Sequence, residues 1–167
     1  VVTIVDAHLH PHLSTCRALF AEYAVAIDSA CGASLAQQGF STELDNLPGK
    51  YAPPRGRMLL ALRDGQPIGC AALRPLPNLG PSVCEMKRMW VRPAARGQGV
   101  GRMLANRLLS DAAAAGYTLM KLDTSAGFTE AIALYRSLGF VECPRYNDDP
   151  MADTLWFERP LAPGLTA

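Results

Sequence analysis

A glycine-rich turn set between an apolar run and an amphipathic run constrains this chain more than any other feature. Met86 to Val91 is largely apolar, Arg92 and Pro93 break the run, and Arg96-Gly97-Gln98-Gly99-Val100-Gly101-Arg102 follows. Met103, Leu104, Leu108 and Leu109 then recur at helical spacing. The layout is strand, turn, helix N-terminus. Glycines let a backbone approach a ligand closely, and the first N–H groups of a helix have no partner inside it. The helix dipole, Arg96 and Arg102 add positive charge at the same place, so the turn reads as an anion site suited to a pyrophosphate.

The spacing excludes two common pyrophosphate loops. A P-loop requires Gly-Lys-Ser/Thr after its first glycine, and no lysine follows here; a dinucleotide fingerprint requires G-x-G-x-x-G, and Gly97, Gly99 and Gly101 are one residue short of it. The pattern Arg-x-x-Gly-x-Gly, carried by Arg96 to Gly101, resembles the coenzyme A loop of the GCN5-related N-acetyltransferase (GNAT) superfamily. Cys84 to Pro93 resembles that family's fourth strand, and Glu130 to Phe140, ending in Leu-Gly-Phe, resembles its late helix and the strand entry after it. The resemblance spans residues 40–160 and implies acetyl-CoA as cofactor. It also implies an α/β (α+β) fold, a mixed and mostly antiparallel sheet of about six or seven strands with about four helices, splayed between strands four and five.

Acyl transfer from a thioester to an amine requires that the thioester be held, its carbonyl polarised, the amine deprotonated and the departing thiolate protonated. By the resemblance, Arg96, Gly97, Gln98, Gly99, Val100, Gly101 and Arg102 hold the pyrophosphate. Met89, Trp90 and Val91 bind the pantetheine arm by β-like hydrogen bonds, and a backbone N–H near Trp90–Val91 polarises the carbonyl. Tyr135 takes the place of the family's helix tyrosine, as general acid. Glu85 lies eleven residues before Arg96, where some members carry a glutamate base that acts directly or through water. Strand alternation puts Glu85, Lys87, Met89 and Val91 on one face. Where members carry asparagine, this chain has Phe128; Thr124, Ser125 and Thr129 are nearby polar replacements. For the acceptor, Arg55, Arg57 and Arg74 are candidates to grip a carboxylate, and Glu85, Asp148 and Asp149 to attract an amine. The loops Leu47–Arg57 and Tyr146–Asp153 are its expected borders.

The reading is an acetyl-CoA-dependent N-acetyltransferase acting on a small-molecule or amino-acid-like primary amine. A non-catalytic acyl-CoA-binding module and transfer from a longer acyl-CoA are the competing classes. A chain of 167 residues with 49% apolar content suits one domain spanning residues 1–167. A net charge of +1 argues against a nucleic-acid partner, and no apolar run reaches membrane-spanning length. Five scattered cysteines without Cys-x-x-Cys spacing read as reduced thiols, and the start lacks the basic region of a signal peptide, so a cytoplasmic location is expected. A homodimer is compatible with the family. Asp6-Ala7-His8-Leu9-His10 resembles the metal motif of amidohydrolases, but that chemistry belongs to barrels of about 250 residues with further ligands, so no metal is expected.

Along the chain, patterning predicts a strand over residues 1–5 and a helix over 14–29. A loosened stretch runs from Gly32 to Gly39, and a short helix follows with Ser41 as N-cap. A hairpin is predicted over 57–73 with its turn at Asp64-Gly65, then a strand over 83–91 and a helix over 99–115. The remaining expectations are a strand over 118–122, a helix over 129–137 and strands over 140–143 and 154–158.

Overall fold

The computed structural model describes residues 1–31, 39–149 and 151–162. The stretch after Gly32 and the Cys31 side chain lie outside the described residues. Seven strands form one sheet: β1 (Val2–Asp6), β2 (Arg57–Arg63), β3 (Gln66–Pro75), β4 (Val83–Val91), β5 (Leu119–Ser125), β6 (Val141–Glu142) and β7 (Thr154–Pro160). Their spatial order is β1-β2-β3-β4-β5-β7-β6. Every neighbouring pair is antiparallel except β4 and β5, which run parallel. Four helices accompany the sheet among the described residues: α1 (His12–Cys31), α2 (Phe40–Asp45), α3 (Val100–Ala114) and α4 (Thr129–Ser137). This is the mixed, mostly antiparallel architecture expected.

Local chemistry explains most boundaries. Asp64 and Gly65 both take positive φ (50° and 78°), the backbone of a two-residue hairpin turn that matches strand twist. α3 buries Val100, Leu104, Ala105, Leu108, Leu109 and Ala112 on one stripe. That stripe packs on the sheet with Leu59, Ala61, Ala71, Leu73, Cys84 and Met86, and Ile132 and Tyr135 of α4 join the same cluster. On the opposite face α1 contributes Cys16, Leu19 and Phe20, packed with Met58, Leu60, Cys70 and Ala72. Ser41 does not cap α2. The cap position lies two residues earlier, at Gly39 in the left-handed region, and the helix has no side-chain cap.

The expected alternation along β4 fails at Arg88. Cys70 pairs with Trp90 and Ala72 with Lys87, so one residue of β3 faces two of β4. Arg88 absorbs the extra residue with φ 56°. Such a bulge turns the following side chains over. Glu85 and Lys87 therefore face α1, whereas Met89 and Val91 join Met86 on the α3 side and Trp90 joins the α1 cluster. A buried pair holds the bulge. Arg88 donates from Nε and Nη2 to Glu43 of α2 at 2.8 and 3.1 Å, and its guanidinium stands over the Phe40 and Tyr23 rings.

Candidate active site

The parallel seam between β4 and β5 is short. Val83, Cys84 and Glu85 pair with Leu119, Met120 and Lys121; past that point β4 continues to Val91 and β5 to Ser125 with no pairing between them. A cavity of about 560 Å³ fills the split, a size typical of small-ligand sites. The two faces of the sheet supply different walls. From the α3 and α4 side come Met86, Met89, Val91, Thr124, Phe128, Thr129, Ala131 and Tyr135; from the α1 side come Tyr23, Ile27, Lys87, Arg88 and Asp123. Arg96 marks one end, and Asp149 and Met151 of the loop before β7 also line it.

Beside Arg96 the turn opens on solvent. Gly97 and Gly99 have φ of 70° and 79°, and a Cβ added at either would meet nothing within 4 Å. α3 begins at Gly99 with no side-chain cap, and its ladder starts with Met103 N–H donating to Gly99 C=O. The N–H groups of Val100, Gly101 and Arg102 precede that first bond, as in any helix. The side chains of this segment have other tasks. Gln98 accepts from Arg63 at 2.6 Å and donates to Ala94 C=O at 3.1 Å. Arg102 donates to Ser137 Oγ at 2.7 Å. Val100 is buried in the core, and Gly101 brings α3 close to Leu134. Arg96 is less mobile than its place in a loop suggests: it stacks over Trp90 at 4.9 Å and donates to Val91 C=O at 3.1 Å. Facing outward from the turn are backbone N–H groups and the guanidinium nitrogens of Arg96 and Arg102 that these bonds leave unused.

Tyr135 reaches the cavity from α4, edge-on to Phe140. Burial pushes its phenol well above the ordinary value, with Tyr23 and Asp123 adding to the shift, so it holds its proton at neutral pH. Glu85 is fully buried and does not line the cavity. Arg74 Nε donates to it at 2.8 Å, Tyr146 OH at 2.6 Å, and Lys87 Nζ stands 3.7 Å away. Direct contact between Glu85 and an acceptor is therefore blocked, and the neighbour that faces the cavity is Lys87. Burial first, then the Glu85 charge, raises the Tyr146 phenol strongly, which keeps it a donor.

Sequence reasoning missed Asp123, which stands at the cavity wall. It accepts from Asn147 Nδ2 at 2.6 Å, and its other oxygen lies 4.0 Å from Lys87 Nζ. A carboxylate one step past an apolar strand run was the available signal. The arginines expected to grip an acceptor carboxylate do otherwise. Arg55 stacks on Tyr117 at 3.9 Å and donates to Ala115 C=O. Arg57 bonds Pro54 and Gly56 carbonyls, and Arg74 is committed to Glu85. Of the two border loops, residues 146–153 reach the cavity and residues 47–57 do not. The polar residues expected to replace the missing asparagine, Thr124, Ser125 and Thr129, all line it; Ser125 is engaged with Asp153 and the Gly127 N–H.

The GNAT acetyltransferase family model matches residues 21–140. The chain belongs to that family. An uncharacterized N-acetyltransferase of Schizosaccharomyces pombe is 37% identical over 126 residues, 75% of this chain and 76% of that one. An IAA acetyltransferase of Azospirillum brasilense is 39% identical over 113 residues, covering 66% of this chain and 71% of the other. A phosphinothricin acetyltransferase of Sinorhizobium meliloti, solved in complex with acetyl-CoA, superposes with a TM-score of 0.73 at 21% identity, covering 99% and 91% of the two chains, and so shares the fold. Membership in the GNAT family makes this chain an acyl-CoA-dependent acetyltransferase, and acetyl-CoA is the cofactor the family uses. No helix among the described residues is long and apolar enough to cross a membrane.

Proposed function

We propose that this chain transfers the acetyl group of acetyl-CoA to the primary amine of a small molecule. The observation that carries the reading is the split between β4 and β5. It joins Arg96, beside the glycine turn, to Tyr135 and then to a charged chamber on the α1 face within one cavity. The residues present fit the cofactor: open glycines and leading helix N–H groups suit a pyrophosphate, and the β4 edge from Met89 to Val91 offers backbone groups to an extended arm. When bound, acetyl-CoA supplies the acetyl group as a thioester.

The chain's residues then divide the work. A backbone N–H near Trp90–Val91 donates to the developing oxyanion. Tyr135, still protonated, gives its proton to the departing sulfur as the C–S bond breaks. The attacking nitrogen forms the C–N bond and releases a proton, which reaches Glu85 through water, since Lys87 and Tyr146 stand between Glu85 and the cavity. Asp149 and Met151 line the acceptor end, and a cavity of about 560 Å³ favours a small acceptor over an extended peptide. Burial raises the thiols of Cys16 and Cys84 to about 12, so neither is a thiolate nucleophile at neutral pH, as direct attack by the amine requires.

Calorimetric titration with acetyl-CoA, beside an Arg96→Ala/Gly99→Asp double variant, tests the first step. Micromolar binding that the variant loses is expected, followed by amine-dependent thiol release with small primary amines. Wild-type protein that fails to bind, or that acetylates only a protein lysine, would overturn the reading.

A further inference from the structure

The acceptor half of the cavity carries two opposite charges that do not satisfy each other. Lys87 Nζ and Asp123 Oδ1 are 4.0 Å apart, beyond hydrogen-bond reach, and both residues line the cavity from the α1 face. Their side chains are only 11% and 13% exposed. Every other buried cation nearby is tied to a carboxylate by a direct hydrogen bond. Arg88 is held by Glu43, Arg74 by Glu85 and Lys121 by Glu158. Lys87 makes only two long ionic contacts, to Glu85 at 3.7 Å and to Asp123, and no hydrogen bond among the described residues. An ammonium so enclosed gains most from a carboxylate brought in by a ligand.

We propose that the acceptor is a free α-amino acid, its ammonium received by Asp123 and its carboxylate by Lys87. The inference rests on the amine-acetylation reading above and names the substrate class for it. The dimensions agree. Charge-assisted N–H···O contacts run at roughly 2.8 Å, and the amine and carboxylate of an α-amino acid sit on one carbon. Two such contacts plus that short internal spacing span the 4.0 Å between Asp123 and Lys87, so the four charges alternate around a small ring. The second carboxylate behind Lys87 fits the same scheme. Glu85 holds the ammonium in place without bonding it closely, and is itself neutralised by Arg74. Tyr23, Ile27 and Met151 on the remaining wall give an uncharged side chain a surface to pack on. The bound ammonium first gives one proton to solvent, and the neutral amine beside Asp123 then attacks the thioester from one face of the split with Tyr135 on the other, its second proton leaving through water to Glu85.

The test compares acetyl-CoA turnover on L-phenylalanine, L-phenylalaninamide and phenethylamine, which share a side chain and an amine and differ in the carboxylate. The free amino acid is expected to show kcat/KM at least about 30-fold above the other two. Lys87→Gln is expected to bring that ratio to within about threefold of one, and Lys87→Arg to restore it. L-methionine against its amide repeats the comparison with a different side chain. Equal turnover of acid, amide and amine, or a preference that survives Lys87→Gln, would overturn the clamp and leave the acetyltransferase reading standing. Absence of acetyl-CoA binding would overturn both, at an earlier step and in a different measurement.

Discussion

Replacing Glu43 with glutamine probes the pair that holds the β4 bulge. The Glu43 and Arg88 side chains are 9% and 4% exposed, and two hydrogen bonds join them. Tyr51 OH adds a third bond to Glu43 at 2.9 Å. Glutamine keeps the shape and one acceptor but leaves a buried guanidinium uncompensated. Losing one side of a buried pair costs about 3–5 kcal/mol, and the retained acceptor puts this case near 3. In a domain of this size each kcal/mol is worth about 2–4 °C, so Tm falls by about 6–12 °C. Thermal and urea unfolding followed by circular dichroism measure both. Arg88→Met added to Glu43→Gln removes the stranded charge while keeping contact with Phe40 and Tyr23, and recovers more than half of the loss. The pH dependence follows with a fixed sign. Burial pushes the Glu43 carboxyl up, but the Arg88 hydrogen bonds outweigh it, and the group titrates below its ordinary 4.5. Its stabilisation is complete above that value and disappears as pH falls through the lower folded value. The gap between wild type and Glu43→Gln therefore narrows in acid. A cost under about 1 kcal/mol, or a gap that ignores pH, would refute the argument.

Three further outcomes are expected. Tyr135→Phe lowers kcat by about 100-fold or more while Tm holds, because the ring against Phe140 is kept; with the phenol raised above its ordinary 10.0, wild-type kcat shows no basic limb from this group below that pH. Glu85→Gln lowers kcat by about 100-fold with the KM for acetyl-CoA unchanged, whereas a purely structural Glu85 would lower Tm and leave kcat in place well below it. Gly99→Ala meets no steric obstacle but forces a side chain to φ 79°, at about 1–2 kcal/mol, and raises the KM for acetyl-CoA more than it lowers kcat.

The parts of the fold legible in the sequence are those written locally. The Asp64-Gly65 hairpin, the whole of β4 and the Thr129–Ser137 helix follow from turn residues and periodicity, and the structure has the same elements. The site was harder to read where it depends on distant partners. Period-two alternation has no symbol for an inserted residue, so the bulge at Arg88 reversed the face assigned to Met89 and Val91. The Glu85 position was readable, but its enclosure by Arg74 and Tyr146 comes from β3 and from a loop 61 residues away. Arg55 looked free because its partner ring, Tyr117, stands beyond the next helix in sequence. Asp123 gained its place only because β4 had already diverged from β5, a fact of tertiary geometry.

That divergence has a thermodynamic side. Among the described residues, three residue pairs and the bonds from the Thr118 and Leu119 N–H groups to Ser82 C=O stitch β1–β4 to β5–β7 along the backbone. A molecule lying in the split acts as a further rung of the ladder, and it binds the folded chain alone. Free ligand at 100 times its dissociation constant then adds about 2.7 kcal/mol to the folding equilibrium. The seam that the cavity divides is thereby braced by whatever fills it, and the folding stability of the chain rises with the concentration of that ligand.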